Sequence, residues 1–197
     1  MARIVGVLLA AGRGARFGGD KLLASLPQRA GVESAVGLGV ASAHALVAVL
    51  PGAVAVVRPT DAALSAQFAA AGLRVVPCAH ADDGMGASFA CGVAASADAD
   101  GWIVALADMP WISSSTIRAV ADAVAAGAAI VAPRHRGRRG HPVGFSRVHR
   151  DALIALTGDA GARSIIDDHR DAVTWIDVDD PGVLRDVDTR DDLCPPS

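Results

Sequence analysis

Six short apolar runs limit this chain's fold more than any other feature: Ile4–Leu9, Val54–Val57, Leu73–Val76, Trp102–Leu106, Ile130–Val131 and Val173–Val178. Each is nearly continuous in hydrophobicity, without the in-and-out alternation of a strand that has one wet face. Strands of that kind are covered on both sides, and Ala-rich segments long enough for helices lie between them. The expectation is an α/β sandwich, with a mainly parallel sheet and helices on each side.

Helix boundaries are marked in several of those segments. Thr60–Asp61 open one helix and Gly72 closes it; Ser113–Ser115 open another, closed by Gly127, with Ile117, Val120, Ala121 and Val124 on one face. A third is expected from about Ser146 to Gly158, a fourth from Ala162 to Asp168, and a further one over Phe89–Ser96. At 197 residues the chain fits one domain spanning 1–197, with Pro195–Ser197 as a frayed tail.

Charge and composition narrow the function classes. With 52% hydrophobic and 20% charged residues and a net charge of −3, the chain is neither disordered nor a basic nucleic-acid coat. Aromatics make up 4% and Tyr is absent, so no stacked-aromatic surface for single strands is available. Small-molecule chemistry is expected, with no nucleic-acid partner. The apolar run Ile4–Ala11 is far shorter than a bilayer needs, so no membrane segment is expected. Cys78, Cys91 and Cys194 are odd in number and widely spaced, which fits neither a zinc site nor a disulfide framework. That usage suggests a reducing cytoplasm, with Cys78 and Cys91 as inert core residues and Trp102 and Trp175 packed around strands.

The chemistry concentrates after the first run. Leu8 to Lys21 reads LLAAGRGARFGGDK, a strand running into a loop that carries Gly12, Gly14, Gly18 and Gly19 with Arg13, Arg16 and Lys21. Glycines let successive amides surround phosphate oxygens, and the three cations add charge at the same place. A polyphosphate site follows, against the plainer reading of a Gly-rich turn with exposed basic residues. The dinucleotide fingerprint fails because Phe17 stands at its third glycine. A P-loop fails because Asp20, Lys21 and Leu22 stand where Lys and Ser or Thr belong.

Leu9–Ala10–Ala11–Gly12, Arg16, Gly18 and Lys21 resemble the signature loop of the molybdopterin nucleotidyltransferase family. Gly84–Met85–Gly86–Ala87–Ser88, Leu106–Ala107–Asp108–Met109–Pro110, Gly140–His141–Pro142, Gly158–Arg163 and Asp186–Val187–Asp188–Thr189 resemble further segments of that family, in its order and across nearly the whole chain. Residues 28–48 lack the family's Pro-Leu-Leu helix opening, and Arg190 replaces a Pro. The resemblance implies a three-layer α/β/α Rossmann-like sandwich of the nucleotide-diphospho-sugar transferase type, with a mostly parallel, mixed sheet. The Ala10–Ala11–Gly12 form is the one associated with cytidylyl transfer, so the resemblance points to the molybdenum cofactor cytidylyltransferases. The implied reaction joins CMP from CTP to molybdopterin with Mg²⁺ as cofactor, and a molybdoenzyme is the implied recipient.

On that resemblance, Leu9, Ala10, Ala11, Gly12, Arg13, Gly14, Lys21, Gly84, Met85, Ser88 and Asp108 bind the nucleotide. Lys21, Arg16 and Asp108 are the catalytic residues, Asp108 and Asp188 hold the metal, and Arg139, His141, Pro142, Asp159 and Arg163 line the acceptor side. The residues themselves support part of this. Asp108 follows a strand at the carboxyl edge, where ligands of open α/β sheets bind, and Mg²⁺ needs only one or two carboxylates beside substrate phosphates. Asp186, two residues before Asp188, points the same way in an extended segment and is expected to support it. Arg134–Gly140 is the densest basic stretch, open to reading as a solvated loop or an anion site, with His141 donating a hydrogen bond. Ser88 reads equally as a helix cap or a ligand contact, and Asp159 as a cap with Arg163 pairing one turn on. Two other functions share these features: a nucleotidyltransferase for a sugar or polyol phosphate, and a non-catalytic molybdenum-cofactor-binding maturation protein.

Overall fold

The computed structural model describes residues 2–12, 17–27 and 36–194. Among the described residues eight strands form one sheet: β1 (Ile4–Leu9), β2 (Val54–Val57), β3 (Arg74–Pro77), β4 (Gly101–Leu106), β5 (Ile130–His135), β6 (Arg138–Arg139), β7 (Val143–Ser146) and β8 (Val173–Asp177). Their order is β3-β2-β1-β4-β7-β5-β6, and β8 pairs with β5. β3, β2, β1 and β4 are mutually parallel, whereas β7 runs antiparallel to both β4 and β5. The sheet is therefore mixed and mostly parallel, as expected.

Strand pleating divides the core into two layers, because alternate residues face opposite sides. Leu8, Ala55, Val57, Ile103 and Ala105 pack with α1 (Leu38–Val47), α2 (Ala62–Ala70) and α4 (Ser114–Ala125). Val7, Leu9, Val54, Val56, Trp102 and Val104 pack on the other face with α3 (Met85–Ala94), α5 (Arg150–Ile154) and α6 (Arg163–Asp168). This is the three-layer α/β/α, Rossmann-like architecture. Residues such as Val7 and Leu8 are fully buried, each worth about 1.5–3 kcal/mol over an exposed position.

Several local expectations are corrected. The hairpin β5–β6 and strand β7 replace a loop, and Ser146 ends β7 instead of opening a helix. The helix expected from Ser146 to Gly158 shrinks to a 3-10 turn, Arg147–His149, and α5. α3 starts four residues before Phe89, with Gly84 as its cap, so Ser88 lies inside the helix. α1 fills part of the stretch lacking the Pro-Leu-Leu opening, while 28–35 lie outside the described residues, as do 195–197. Cys78 and Cys91 are joined as a disulfide with Cα atoms 6.1 Å apart, because β3 ends beside α3. Trp102 is buried and donates from Nε1 to Ser96 Oγ (3.0 Å), but Trp175 is 39% exposed under the Arg134 guanidinium. Among the described residues no helix is long and apolar enough to cross a membrane.

Candidate active site

The sheet reverses its winding between β1 and β4, and the carboxyl ends of these strands open the crevice where open α/β sheets take ligands. Asp108 lies two residues beyond β4. Its position is fixed from both sides: Ala107 N donates to Leu9 O (3.0 Å), Ser42 Oγ to Ala107 O (2.9 Å), and Val187 N to Asp108 O (2.9 Å). Lys21 opens a 3-10 turn after Gly18, whose φ of 74° turns the chain back toward the sheet. The Lys21 Nζ ammonium donates to Asp108 Oδ2 at 2.8 Å and lies 3.6 Å from Asp188 Oδ1. Its side chain is only 10% exposed, so this charge is compensated mainly by the two carboxylates. Three sequence-distant segments thus converge on one point.

Asp188 is placed by its own small motif. Asp192 Oδ2 accepts from Asp188 N (3.2 Å), Thr189 N (2.8 Å) and Thr189 Oγ1 (2.7 Å). These bonds, led by the Thr189 hydroxyl, hold the Asp192 carboxyl below the usual carboxylate range. Asp186, two residues earlier, has a different neighbour: its charge acts on His141.

A cavity of about 920 Å³ opens beside this point. Leu9, Ala10, Ala11, Gly12, Lys21, Gly84, Met85, Ser88 and Asp108 all line it, and so does Asp159. Arg13, Gly14 and Arg16 lie outside the described residues. The wall also includes residues the sequence reading passed over, notably Arg58 at the end of β2 and Asp82, whose side chains form an ion pair. An Arg directly after an apolar strand was the available signal. Gly84 is indispensable to the wall's shape: its φ is 106°, and a Cβ there would stand 2.4 Å from the Gly158 carbonyl carbon.

The expected acceptor residues are not brought together. Arg139 is exposed on β6, and neither it, His141, Pro142 nor Arg163 lines the cavity. His141 N donates to Val183 O (2.9 Å), while its Nδ1 is buried with no hydrogen-bond partner among the described residues. Burial, reinforced by the Arg139 charge and opposed by Asp186, pushes the imidazole down to about 4, so it is neutral near pH 7. A neutral ring still donates from one nitrogen. Arg163 is exposed and 3.7 Å from Asp167, and Ala162 rather than Asp159 caps α6.

Among the described residues no cluster of three or more His, Cys, Asp or Glu side chains is suited to a metal. Asp108 and Asp188, however, direct oxygens to one cation, the Lys21 ammonium. Two carboxylates beside a cavity of that volume are the donor set that suits Mg²⁺, a hard ion completed by phosphate oxygens and water.

The chain has relatives over nearly its whole length. The chain is 34% identical to a nicotine blue oxidoreductase from Paenarthrobacter nicotinovorans, covering 96% of this chain and 94% of that one. It is 30% identical to the purine catabolism protein PucB of Bacillus subtilis, over 96% and 93%. Rv0371c of Mycobacterium tuberculosis superposes with a TM-score of 0.79 at 32% identity, covering 97% of this chain and 95% of that one. The same protein in complex with manganese gives a TM-score of 0.76 at 29% identity, over 97% and 96%. Residues 6–173 match the MobA-like NTP transferase domain, and the chain belongs to that family.

Proposed function

We propose that this chain, as one nucleotidyltransferase domain over 1–197, transfers CMP from CTP to the phosphate of molybdopterin and releases pyrophosphate, with Mg²⁺ as cofactor. The observation that carries the reading is the convergence of Lys21, Asp108 and Asp188 beside the cavity floored by Ala10–Gly12. The acceptor is a phosphate monoester, whose oxygen is anionic at neutral pH. No side chain needs to take a proton from it before it attacks the α-phosphorus. A new P–O bond forms to that phosphorus, and the bond to the β-phosphate bridging oxygen breaks.

What remains for the protein is alignment and charge neutralisation. Lys21, joined by Arg16, offsets negative charge on the α-phosphate and the departing pyrophosphate. The Gly12–Gly14 backbone, with Arg13, cradles the phosphates. Leu9–Ala11, Gly84, Met85 and Ser88 hold the nucleoside. Asp108 and Asp188 would hold Mg²⁺, which would supply positive charge to offset that of the triphosphate. The manganese complex of a relative supports a divalent ion in this family. Arg139, His141 and Pro142 are assigned to the acceptor, which approaches from the β6–β7 side; Arg163, at the start of α6, is left out of that assignment.

A panel of the four nucleoside triphosphates against molybdopterin, read as pyrophosphate formed, tests the reading. CTP is expected to support the highest rate, and pyrophosphate is expected only when acceptor and nucleotide are both present. No pyrophosphate from any pair refutes transfer. Pyrophosphate is not a product of a redox reaction, so the assay also separates this reading from the activity that one relative's name describes.

A further inference from the structure

Loop 157–161 carries Asp159, which the sequence pattern groups with the acceptor, yet it borders the cavity from the α3 side. Two main-chain bonds fasten it to the start of α3: Gly158 N donates to Asp83 O (2.9 Å), and Gly86 N donates to Gly158 O (2.8 Å). The contact has no room for side chains. A Cβ on Gly84 would stand 2.7 Å from Asp159 Oδ1, and one on Gly86 would stand 2.7 Å from Thr157 O. The carboxylate is therefore held against the backbone at the α3 N-terminus, on the wall it shares with Met85 and Ser88.

Neither structural duty suggested for Asp159 is performed. α6 is capped at Ala162, Arg163 turns to Asp167, and no hydrogen bond or ion pair links the Asp159 carboxylate to another described residue. A carboxylate at neutral pH only accepts hydrogen bonds, and it repels phosphate. Its ligand must offer donors and no negative charge. In CTP, the nucleotide of the proposed reaction, the two adjacent hydroxyl donors belong to the ribose, and a carboxylate is how the dinucleotide-binding folds take ribose hydroxyls.

We propose that Asp159 accepts hydrogen bonds from the ribose hydroxyls of the bound nucleotide, so that the site selects ribonucleoside over 2′-deoxyribonucleoside triphosphates. This rests on the cavity being the nucleotide site. It makes Asp159 a specificity residue of the nucleotide side, not of the acceptor wall.

Calorimetric titration of the full chain with each of the four nucleoside triphosphates and Mg²⁺ identifies the tightest binder, which is then compared with its 2′-deoxy form. A hydrogen bond to a charged acceptor predicts that the deoxy form binds about tenfold to a hundredfold more weakly. Asp159→Ala is expected to remove most of that selectivity, weakening the ribonucleotide about tenfold more than the deoxy form, which loses only its 3′-hydroxyl contact. Wild-type protein that binds both forms equally overturns the proposal without any variant. So does an Asp159→Ala chain, folded by circular dichroism, that weakens both forms alike, since that marks base recognition or loop positioning. Nucleotide that binds with sugar selectivity but yields no pyrophosphate refutes transfer and leaves this assignment standing; absence of all nucleotide binding overturns both.

Discussion

Asp108→Asn removes one charge from the site while keeping the side chain's shape, and the structure sets the size of the effect. Asp108 lies 2.8 Å from the Lys21 ammonium and is 25% exposed; Asp188 lies at 3.6 Å and is 44% exposed. A hydrogen bond between charged groups in the first geometry contributes about 1.5–3 kcal/mol. The second, more solvated pair contributes about 1 kcal/mol or less. Asp108 is therefore the principal partner, and its loss costs the fold about 1.5–3 kcal/mol, within the ~5–15 kcal/mol of a typical domain. The variant folds. Its turnover, by contrast, is expected to fall about 10²–10³-fold, as when one preorganised charge is lost from other such sites. The Mg²⁺ concentration for half-maximal rate is expected to rise, because one carboxylate of two remains. The assay is pyrophosphate release against Mg²⁺ at saturating CTP, with circular dichroism as the folding check. A folded Asp108→Asn protein that keeps more than about a tenth of wild-type turnover, a barrier change below ~1.4 kcal/mol, refutes the role.

Three further outcomes are expected. His141 titrates near 4 in the fold against 6.5 when free, so the unfolded chain takes up a proton that the fold refuses. Its contribution is intact above pH 6.5 and is lost as pH falls toward 4, by up to about 3 kcal/mol; burial of His149 acts in the same direction. Denaturant melts across that range should steepen for wild type and flatten for His141→Gln. Asp180 accepts from Ser113 N (2.9 Å), Thr116 Oγ1 (2.6 Å) and Gly182 N (3.1 Å) at the start of α4. Asp180→Ala leaves those donors without their acceptor and should cost about 2–4 kcal/mol in urea unfolding; a loss below about 1 kcal/mol counts against that bridging role. Gly84→Ala meets both a φ of 106° and the Gly158 backbone, so it should cost at least about 2 kcal/mol and weaken nucleotide binding, read by thermal melting and titration. Unchanged values for both would show that loop 157–161 moves aside freely.

The strands were legible where burial on both faces wrote an unbroken apolar run, and β1 and β2 fall on the expected residues. β6 and β7 were not. Arg138–Arg139 is a polar edge hairpin, and Gly144 interrupts β7, so neither carries that signal. The α3 start was hidden because its cap is Gly84 in a left-handed conformation, while Ser88 supplied a cap-like side chain one turn too late. The Cys78–Cys91 pairing has no sequence signature, since it depends on β3 ending against α3. At the site, the strand-end position of Asp108 was local information. The Arg58–Asp82 pair and the cavity position of Asp159 depend on which loops the sheet order brings together, which no short pattern encodes.

Segment 186–188 links the two sides of the site through one buried residue. Val187 turns inward, fully buried, and its N–H is tied to Asp108 O. That anchor stands between the two carboxylates, one residue from each. Asp188 meets Lys21 over the parallel half, whereas Asp186 acts on His141 beside the antiparallel half. A change at Val187 therefore perturbs both sides together. Val187→Ala should weaken nucleotide and acceptor binding alike, whereas Asp188→Asn should act on the nucleotide and Mg²⁺ side alone. Separate Kd measurements for CTP and for molybdopterin decide it: an Asp188→Asn protein that loses both equally would show that the two carboxylates are not independently placed.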